Sequence, residues 1–272
     1  MTTIADALPT TIGTASTTRT TSQDLRAVPA ALRSEWIKLT TLRTNKVMLA
    51  LTGAITALIA WALATSTKDP TLVAAELFIY PLPLVAMLAA VTGILMFTAE
   101  VQHGTLPVTL ITRPARWVTV TAKTIMAGAV GLTFGAVAMV VGFGGAALGG
   151  VELGIGSGLV TRALWALLYI SLATIIGLGV GMIVRHGAGA ISGLLLWSFV
   201  LENLFAPALP DGVVHFLPFS AGYRLLDAGP NFEAPVQITN ELSRPLYAAI
   251  FGGYAVICLL IGTFLLYRRD GD

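Results

Sequence analysis

The side chains best suited to chemistry lie in one polar stretch, EVQHGTLPVTLITRPARWVTVTAK, which covers residues 100–123 between two strongly apolar segments. The candidate site residues there are Glu100, His103, Gly104, Thr105, Arg113, Pro114 and Arg116. Carboxylate and guanidinium groups on a compact element form directional, charge-assisted hydrogen bonds. The stretch is therefore predicted to bind a water-soluble partner at one face of a membrane.

The two arginines of this stretch, Arg113 and Arg116, have a second interpretation, in which they only contact lipid headgroups and fix topology. Glu100 fits that interpretation poorly, because a carboxylate has no favourable electrostatic interaction with anionic lipid head groups. Gly104 allows either a sharp turn or the close approach of another backbone. We predict a protein contact for Glu100, and both interpretations stay open for the arginines.

The composition places the whole chain in a membrane. Of its 272 residues, 56% are hydrophobic and only 11% are charged, whereas an average soluble domain has about 25% charged residues. The formal charge of +2 is too small to argue for nucleic acid, and no nucleic-acid partner is expected. The single cysteine, Cys258, cannot form an intrachain disulfide and is interpreted as a packing residue.

Six apolar stretches are each long enough to cross the hydrocarbon core, which takes about 20 residues. They cover approximately residues 47–65, 74–98, 118–147, 161–184, 188–204 and 246–267. The predicted fold is an all-α polytopic membrane protein with a transmembrane domain at 47–267 and a short tail at 268–272. Pro81 and Pro83 should kink the second span or mark a broken start. Residues 1–24 are Thr-rich and are predicted to form a disordered tail without a signal peptide, so the first span should act as an uncleaved signal anchor.

The distribution of Lys and Arg between the loops predicts the orientation of the spans. Of the 16 basic residues, twelve share one side of the membrane with the N-terminus and four lie on the other side. Because cytoplasmic loops carry the excess of Lys and Arg, both termini are predicted to be cytoplasmic. The polar stretch at 100–123 then faces the cytoplasm.

Two segments outside the spans are also predicted to meet the membrane. Residues 25–46 form a basic amphipathic helix on the inner leaflet, anchored by Arg33, Trp36, Lys38 and Arg43. A soluble stub is the alternative for that segment. The segment between spans five and six is too broken by Pro and Gly to span and, in VVHFLPFSAGYRLL, too apolar for an ordinary loop, so an outer re-entrant or interfacial helix is predicted.

Glycine recurs at four-residue spacing within the spans. The pairs are Gly131 and Gly135, Gly145 and Gly149, Gly177 and Gly181, and Gly189 and Gly193. Small residues on one helix face let two backbones approach closely. These pairs are predicted to mark helix–helix packing within the bundle, with no function implied.

Several kinds of chemistry are absent from the sequence. No G-x-x-x-x-G-K-[ST] phosphate-binding loop is present, so the chain is not expected to hydrolyse ATP by that route. No H-E-x-x-H occurs, and His103, His186 and His215 lie in separate loops, which argues against a metal site. The ionisable residues sit towards the ends of the spans, which weakens proton-relay and voltage-sensor interpretations. No catalytic residue and no cofactor on this chain is predicted.

In its sequence and its position between spans two and three, the polar stretch resembles a loop of the permease subunits of ABC-2-type ATP-binding-cassette transporters, particularly the short actinobacterial ones. The family's loop between spans two and three carries E-x-x-x-G-T, then a Pro beside basic residues, then a Lys that opens the next span. The matching residues here are Glu100, Gly104, Thr105, Arg113, Pro114, Arg116 and Lys123. LRSEWIKLTTLRTNKVMLAL and HFLPFSAGYRLLDA also look like family segments, so the resemblance covers roughly residues 30–270. Pro107 departs from the pattern, because it interrupts the short cytoplasmic helix early.

The resemblance implies a function, a set of partners and a location. The polar stretch would be a coupling helix that seats in a groove on a separate ATPase subunit. Two ATPase subunits, holding ATP and Mg²⁺, and a second permease subunit, identical or homologous, would complete an exporter in a bacterial plasma membrane. Its cargo would be an amphipathic or hydrophobic small molecule or peptide, such as an antibiotic.

Two other functions stay open from the sequence. A non-transporting assembly or regulatory subunit could use the same loop to bind a partner. An intramembrane enzyme would need clustered polar groups at mid-membrane depth, and the spans show none. A neighbouring gene for a phosphate-loop ATPase without spans of its own would favour transport over both.

Overall fold

The structure is a computed structural model that describes residues 21–66, 74–106, 116–152, 154, 158–226 and 241–269. Within these ranges every regular element is a helix. Six helical stretches there are long and apolar enough to cross a membrane. The prediction of an all-α polytopic membrane fold with six spans is confirmed.

The helices fall into a long N-terminal series and a more broken C-terminal series. The first series is α1 (Thr21–Thr41), α2 (Arg43–Ser66), α3 (Ala74–Leu77), α4 (Leu82–Gln102), α5 (Arg116–Leu148) and α6 (Leu159–Val184). The second is α7 (Gly187–Leu195), a π-helical turn (Leu196–Leu201), α8 (Glu202–Phe205), a 3₁₀ turn (Ala206–Ala208), α9 (Asp211–Val214), α10 (Pro218–Tyr223) and α11 (Arg244–Arg269). The six spans are α2, α4, α5, α6, the stretch Gly187–Ala208 and α11.

The boundaries differ from the sequence-based ones at two places. The second span has a broken start, because α3 ends at Leu77 and Pro81 is the N-cap of α4. The helix before the first span starts at Thr21 and ends at Thr41, so residues 21–24 belong to it and residues 43–46 belong to α2. The rest of the predicted disordered tail, residues 1–20, and the end of the C-terminal tail, residues 270–272, lie outside the described residues.

The core of the bundle is the contact between α4 and α6. Helix α4 is apolar on all sides, as expected for a helix surrounded by protein, and 72% of its most apolar window is buried. At the crossing, a Cβ atom added to Gly177 of α6 would lie 2.0 Å from the carbonyl oxygen of Ala90, and one added to Gly93 of α4 would lie 2.1 Å from that of Thr174. The two backbones therefore touch at a distance that only glycine permits.

Three of the four predicted glycine pairs lie at such crossings. Gly131 and Gly135 of α5 face α6, Gly145 and Gly149 of α5 face α2, and Gly177 and Gly181 face α4. The fourth pair does not pack in this way. An added Cβ at Gly189 would meet only Val184 and the ring of His186, and one at Gly193 would meet nothing within 4 Å.

The two ends of the bundle differ in charge. Because the chain crosses six times, α2 begins and α11 ends at the same end, here called the basic end, which carries Arg43, Lys46, Arg116, Lys123, Arg268 and Arg269. The opposite end holds α3, α9 and α10. The segment predicted to form a re-entrant or interfacial helix before the sixth span contains α9 and α10. Phe219 in α10 is buried, and Phe216 between the two helices is exposed.

Candidate functional site

Four charged side chains meet in one cluster at the basic end. The Nζ atom of Lys123 lies 2.7 Å from Oε1 of Glu100 and 3.0 Å from Oε2 of Glu35. The Nζ atom of Lys38 lies 2.7 Å from the same Glu100 oxygen and 2.8 Å from Oε1 of Glu35. The two lysines and two carboxylates thus alternate in a closed ring with no net charge, which we call the ion-pair ring.

Three helices that are distant in sequence supply the ring. Lys123 is the eighth residue of α5, Glu100 lies in the last turn of α4, and Glu35 and Lys38 belong to α1. Lys123 also donates a hydrogen bond of 3.3 Å to the carbonyl oxygen of Met96 in α4. The ring therefore fixes α1 to the ends of two spans.

Helix α1 reaches the ring because one of its faces packs on α5. Ala31 is fully buried against Val118 and Ala122 of α5. Glu35 follows Ala31 by four residues and so lies on the same face of the helix. The small side chain of Ala31 lets α1 approach closely enough for Glu35, itself 3% exposed, to meet Lys123.

Burial makes the two lysines unequal. The side chain of Lys123 is 2% exposed, whereas 39% of the Lys38 side chain is exposed. A buried charge that loses one partner costs about 3–5 kcal/mol, whereas an exposed ion pair contributes about 0–1 kcal/mol. Of the two lysines, Lys123 is therefore the one on which the stability of the ring depends more.

The pKa values of the α1 members follow from the same contacts. Burial alone would raise the pKa of Glu35, but the ammonium groups of Lys123 and Lys38 outweigh it and hold this pKa below its ordinary value. Burial would lower the pKa of Lys38, and its hydrogen bonds to Glu100 and Glu35 raise that pKa instead. Both shifts favour the charged forms, so Glu35 and Lys38 stay ionised at neutral pH.

Glu100 borders a cleft at the surface of the basic end. Its Oε1 atom accepts both lysine bonds, whereas its Oε2 atom is buried without a hydrogen-bond partner among the described residues. The adjoining cleft has a volume of about 700 Å³ and lies between the α1–α2 junction and the end of α4. Lys38, Glu100, His103 and Thr105 are among its lining residues.

The turn after α4 presents the next predicted residues to the surroundings. Gly104 has φ = +64°, and a Cβ atom added to it would meet nothing within 4 Å, so glycine is needed there for the turn and not for space. The backbone N–H of Thr105 donates to the carbonyl of Glu100 and closes the end of the helix. His103, Gly104 and Thr105 are exposed, and the structure places them beside the ion-pair ring but outside it.

Arg116 has protein partners at the end of the last span. Its guanidinium donates to the carbonyl oxygens of Leu266 and Tyr267, at 3.1 and 3.0 Å, and lies 5.5 Å from the centre of the Tyr267 ring. A cation at the last carbonyls of a helix is favourable because it completes their hydrogen bonds and opposes the helix dipole. Arg116 thus joins the start of α5 to the end of α11.

The remaining predicted residues do not join the ring. Arg33, Trp36 and Arg43 are exposed, which leaves their predicted role as membrane anchors a prediction. Arg113 and Pro114 lie outside the described residues. Lys38 was predicted as an anchor with them, and the structure gives its ammonium two carboxylate partners.

The sequence-based selection missed Glu35. Two signals could have indicated it. Glu35 shares a helix face with Ala31 and Lys38, and Lys123, seven residues inside a span, needs a buried counter-charge. Neither signal singles out Glu35, because Glu100 alone could supply the counter-charge of Lys123.

A second buried carboxylate organises the opposite end. Oε1 of Glu202 accepts hydrogen bonds from Trp197 Nε1 at 2.9 Å and from the backbone N–H of Phe219 at 3.0 Å. Its Oε2 accepts from the backbone N–H of Ser220 at 2.8 Å and from the Ser220 hydroxyl at 3.0 Å. All four donors point at one carboxylate, which thereby fixes the start of α10 to the fifth span.

We expect Glu202→Gln to loosen α10. The amide nitrogen of Gln cannot accept a hydrogen bond, so at least one buried donor loses its acceptor, at a cost of about 1–3 kcal/mol. Hydrogen–deuterium exchange of a peptide covering residues 216–226 should become faster. Asn203→Ala, at the neighbouring exposed residue whose amide donates to the carbonyl of Phe199 in the π-helical turn, should leave this exchange unchanged. Equal exchange in Glu202→Gln and the wild type would contradict the role of Glu202.

No protein-family model and no curated protein matches this chain. Within the described residues, no group of three or more His, Cys, Asp or Glu side chains could hold a metal ion. The functional argument therefore rests on the ion-pair ring, the exposed turn beside it and the six spans.

Proposed function

We propose that this chain is the membrane-spanning permease subunit of an ABC exporter, working with a separate ATPase subunit. The observation that carries the proposal is the ion-pair ring, because it joins the helix before the first span to both spans that flank the 100–123 stretch. A force applied to that stretch would reach α1, α4 and α5 together. Transmission of this kind is what an ATPase on the cytoplasmic face requires.

Further features support the same proposal. The exposed turn of His103, Gly104 and Thr105 offers polar groups to a water-soluble partner, and the adjoining cleft of about 700 Å³ leaves room for a side chain of that partner. The excess of basic residues at this end agrees with a cytoplasmic position. The complex would hold two ATPase subunits and a second permease subunit, export an amphipathic or hydrophobic molecule, and lie in a bacterial plasma membrane. ATP and Mg²⁺ would bind to the ATPase.

A non-transporting assembly or regulatory subunit is the second candidate. The same exposed turn and cleft would bind a partner in that case as well. The two functions differ in whether partner ATP hydrolysis depends on the ion-pair ring. An intramembrane enzyme is the third candidate. It would need clustered polar groups at mid-membrane depth, whereas the charges of the ring are paired with one another and lie at the end of the bundle.

The function is tested by reconstituting the chain in vesicles with the phosphate-loop ATPase that co-purifies with it. Glu100→Gln is expected to weaken assembly or the coupling of ATP hydrolysis to cargo export about ten- to a hundredfold. The physical reason is the loss of charge-assisted hydrogen bonds worth about 1.5–3 kcal/mol, where 1.4 kcal/mol is a factor of ten. Co-purification and cargo-stimulated ATP hydrolysis are measured for each variant.

Arg268→Gln is the matched control, because it removes one exposed charge from the same end of the bundle without touching the ring. It should couple as the wild type does. Wild-type chain that co-purifies with no ATPase would overturn the proposal. If the ATPase binds but its rate of ATP hydrolysis changes neither on addition of cargo nor in Glu100→Gln, the chain is better explained as a regulatory subunit.

A further inference from the structure

A small cavity lies between α4, α6, the fifth span and α10, towards the opposite end of the bundle from the ion-pair ring. It has a volume of about 100 Å³, and its wall contains four aromatic side chains, Tyr169, Phe199, Phe219 and Tyr223. We call it the aromatic cavity. Tyr169 follows the start of α6 by ten residues, and Ser198, which also lines the cavity, precedes the end of the fifth span by ten. At about 1.5 Å per residue both lie ~15 Å from that end, so they are at the same level of the bundle.

Glu202 is the acidic residue in the wall of the aromatic cavity. It is 4% exposed, and it accepts its four hydrogen bonds from Trp197, Phe219 and Ser220. Four donors match an ionised carboxylate, which can only accept hydrogen bonds. None of the donors carries a charge, and Glu202 forms no ion pair with a described residue. A buried carboxylate without a counter-charge favours a cationic guest, which would supply one.

Arg224 also lines the cavity, but it does not neutralise Glu202. Its guanidinium forms an ion pair with Glu241 instead. The acidic and basic side chains described at this cavity, Glu202, Glu241 and Arg224, therefore leave one negative charge unbalanced.

A π-helical turn gives the carboxylate its place in the wall. Within this turn, Leu196–Leu201, the backbone N–H of Glu202 donates to the carbonyl of Trp197, five residues back. The Trp197 indole in turn reaches the Glu202 carboxylate at 2.9 Å. In a regular α-helix, residues five apart lie about 140° from each other around the axis, whereas a π turn bonds residues at this spacing and frequently marks a functional site.

Two hydroxyl groups at the cavity have no hydrogen-bond partner among the described residues. Tyr169 is 2% exposed, and its ring packs on Phe251 with the ring centres 5.5 Å apart, but its hydroxyl is unbonded and its oxygen is not fully enclosed. The hydroxyl of the half-buried Ser198 is unbonded as well, whereas Ser171 of α6 donates to the carbonyl of Leu167. Polar groups within a span are expected to have partners. A guest with two hydrogen-bond donors would supply them to both oxygens.

The size of the cavity and its aromatic rings narrow the class of guest further. A cavity of about 150 Å³ takes benzene, a ring of about six non-hydrogen atoms, so about 100 Å³ suits a group of about four or five. A cation over the face of an aromatic ring is attracted by the ring quadrupole, most strongly where water is excluded. An alkylammonium group combines a positive charge, N–H donors and apolar carbons within this size.

We infer that the aromatic cavity binds a small alkylammonium group. Its N–H groups donate to the hydroxyls of Tyr169 and Ser198, because the oxygens of Glu202 already accept four hydrogen bonds, and its charge balances that of the carboxylate. The site adds a ligand to the proposed transport function and does not rest on that function. It is tested on the isolated chain, without ATPase or cargo, so that failure of one proposal leaves the other standing.

The experiment compares three molecules of the same shape and size by saturation-transfer NMR on the purified chain in a non-ionic detergent. tert-Butylammonium has the charge and the N–H donors, tetramethylammonium has the charge alone, and tert-butanol has a hydroxyl and no charge. Their dissociation constants should rise in that order, with tert-butanol binding about tenfold more weakly than tert-butylammonium, because hydrogen bonds to a charged group are the stronger ones. Equal binding of tert-butanol and tert-butylammonium would overturn the proposal.

Tyr169→Phe is the diagnostic variant, because it removes only the hydroxyl. It should weaken the binding of tert-butylammonium about tenfold and leave that of tetramethylammonium, which has no N–H, unchanged. Since this hydroxyl has no partner among the described residues, the variant should fold as the wild type does, unlike Glu202→Gln, which is expected to loosen α10. Unchanged binding of tert-butylammonium, or equal losses for the two cations, would contradict the assignment of Tyr169 and overturn the site.

Tyr267→Phe is the matched control, because it removes a hydroxyl from an exposed tyrosine at the basic end, outside the cavity. It should bind all three molecules as the wild type does. Ethanolamine and phosphatidylethanolamine then distinguish two sources of the ligand, since they carry the ammonium group on a free molecule and on a lipid. Displacement of tert-butylammonium by ethanolamine would support a free amine, and displacement by the lipid alone would support a lipid head group. Displacement by neither would overturn the proposal.

Discussion

Lys123→Met is expected to lower the free energy of unfolding by about 3–5 kcal/mol, because it leaves two buried carboxylates with a single counter-charge between them. Glu35 and Glu100 would then share only Lys38, whose side chain is 39% exposed. Unfolding in mixed micelles, followed by circular dichroism during titration with an anionic detergent, measures the loss. Arg268→Met, which removes an exposed charge at the same end, should change the free energy little.

A double variant tests whether the ring acts as a unit. In Glu35→Met with Lys123→Met, the Lys38–Glu100 pair at 2.7 Å remains and the charges still balance. The double variant should therefore be less destabilised than the sum of the two single variants, with a coupling of about 0.5–3 kcal/mol. Strict additivity would mean that Glu35 and Lys123 do not interact, and the account of the ring would be wrong.

Gly177→Leu is expected to prevent the bundle from packing. Its Cβ would lie 2.0 Å from the carbonyl oxygen of Ala90, which is backbone and cannot rotate away. Overpacking by even a few atoms costs about 1–3 kcal/mol, and leucine adds a full side chain at the most buried contact of the fold. The fraction of monodisperse protein recovered by size-exclusion chromatography in mild detergent should fall sharply.

The matched control is Gly193→Leu, at another helical glycine within a span. An added Cβ there meets nothing within 4 Å, and Gly193 is exposed. This variant should be recovered as well as the wild type, because its new side chain points into lipid. Comparable losses in the two variants would show that the effect comes from replacing glycine as such and not from the α4–α6 contact.

The sequence by itself determined the fold class and the number of spans. Apolar runs of about 20 residues leave few alternatives, because backbone groups in hydrocarbon must be satisfied within a helix. All six spans were therefore predictable from the apolar runs, whereas Pro81 and Pro83 predicted either a kink or a broken start, and the structure shows the broken start. The turn at Gly104 was predictable as one of two options, and its φ of +64° decided between them.

Only the tertiary structure decided which polar residues act together. Glu35 and Lys123 are 88 residues apart, and no local pattern specifies that a side chain of α1 meets one of α5. The same holds for Glu202 and the backbone of Phe219 and Ser220. The periodicity of apolar residues along a sequence indicates which face of a helix is buried. The partner of a buried charge depends instead on how the helices cross. Those crossings are set by close backbone contacts such as that of Gly177 with Ala90.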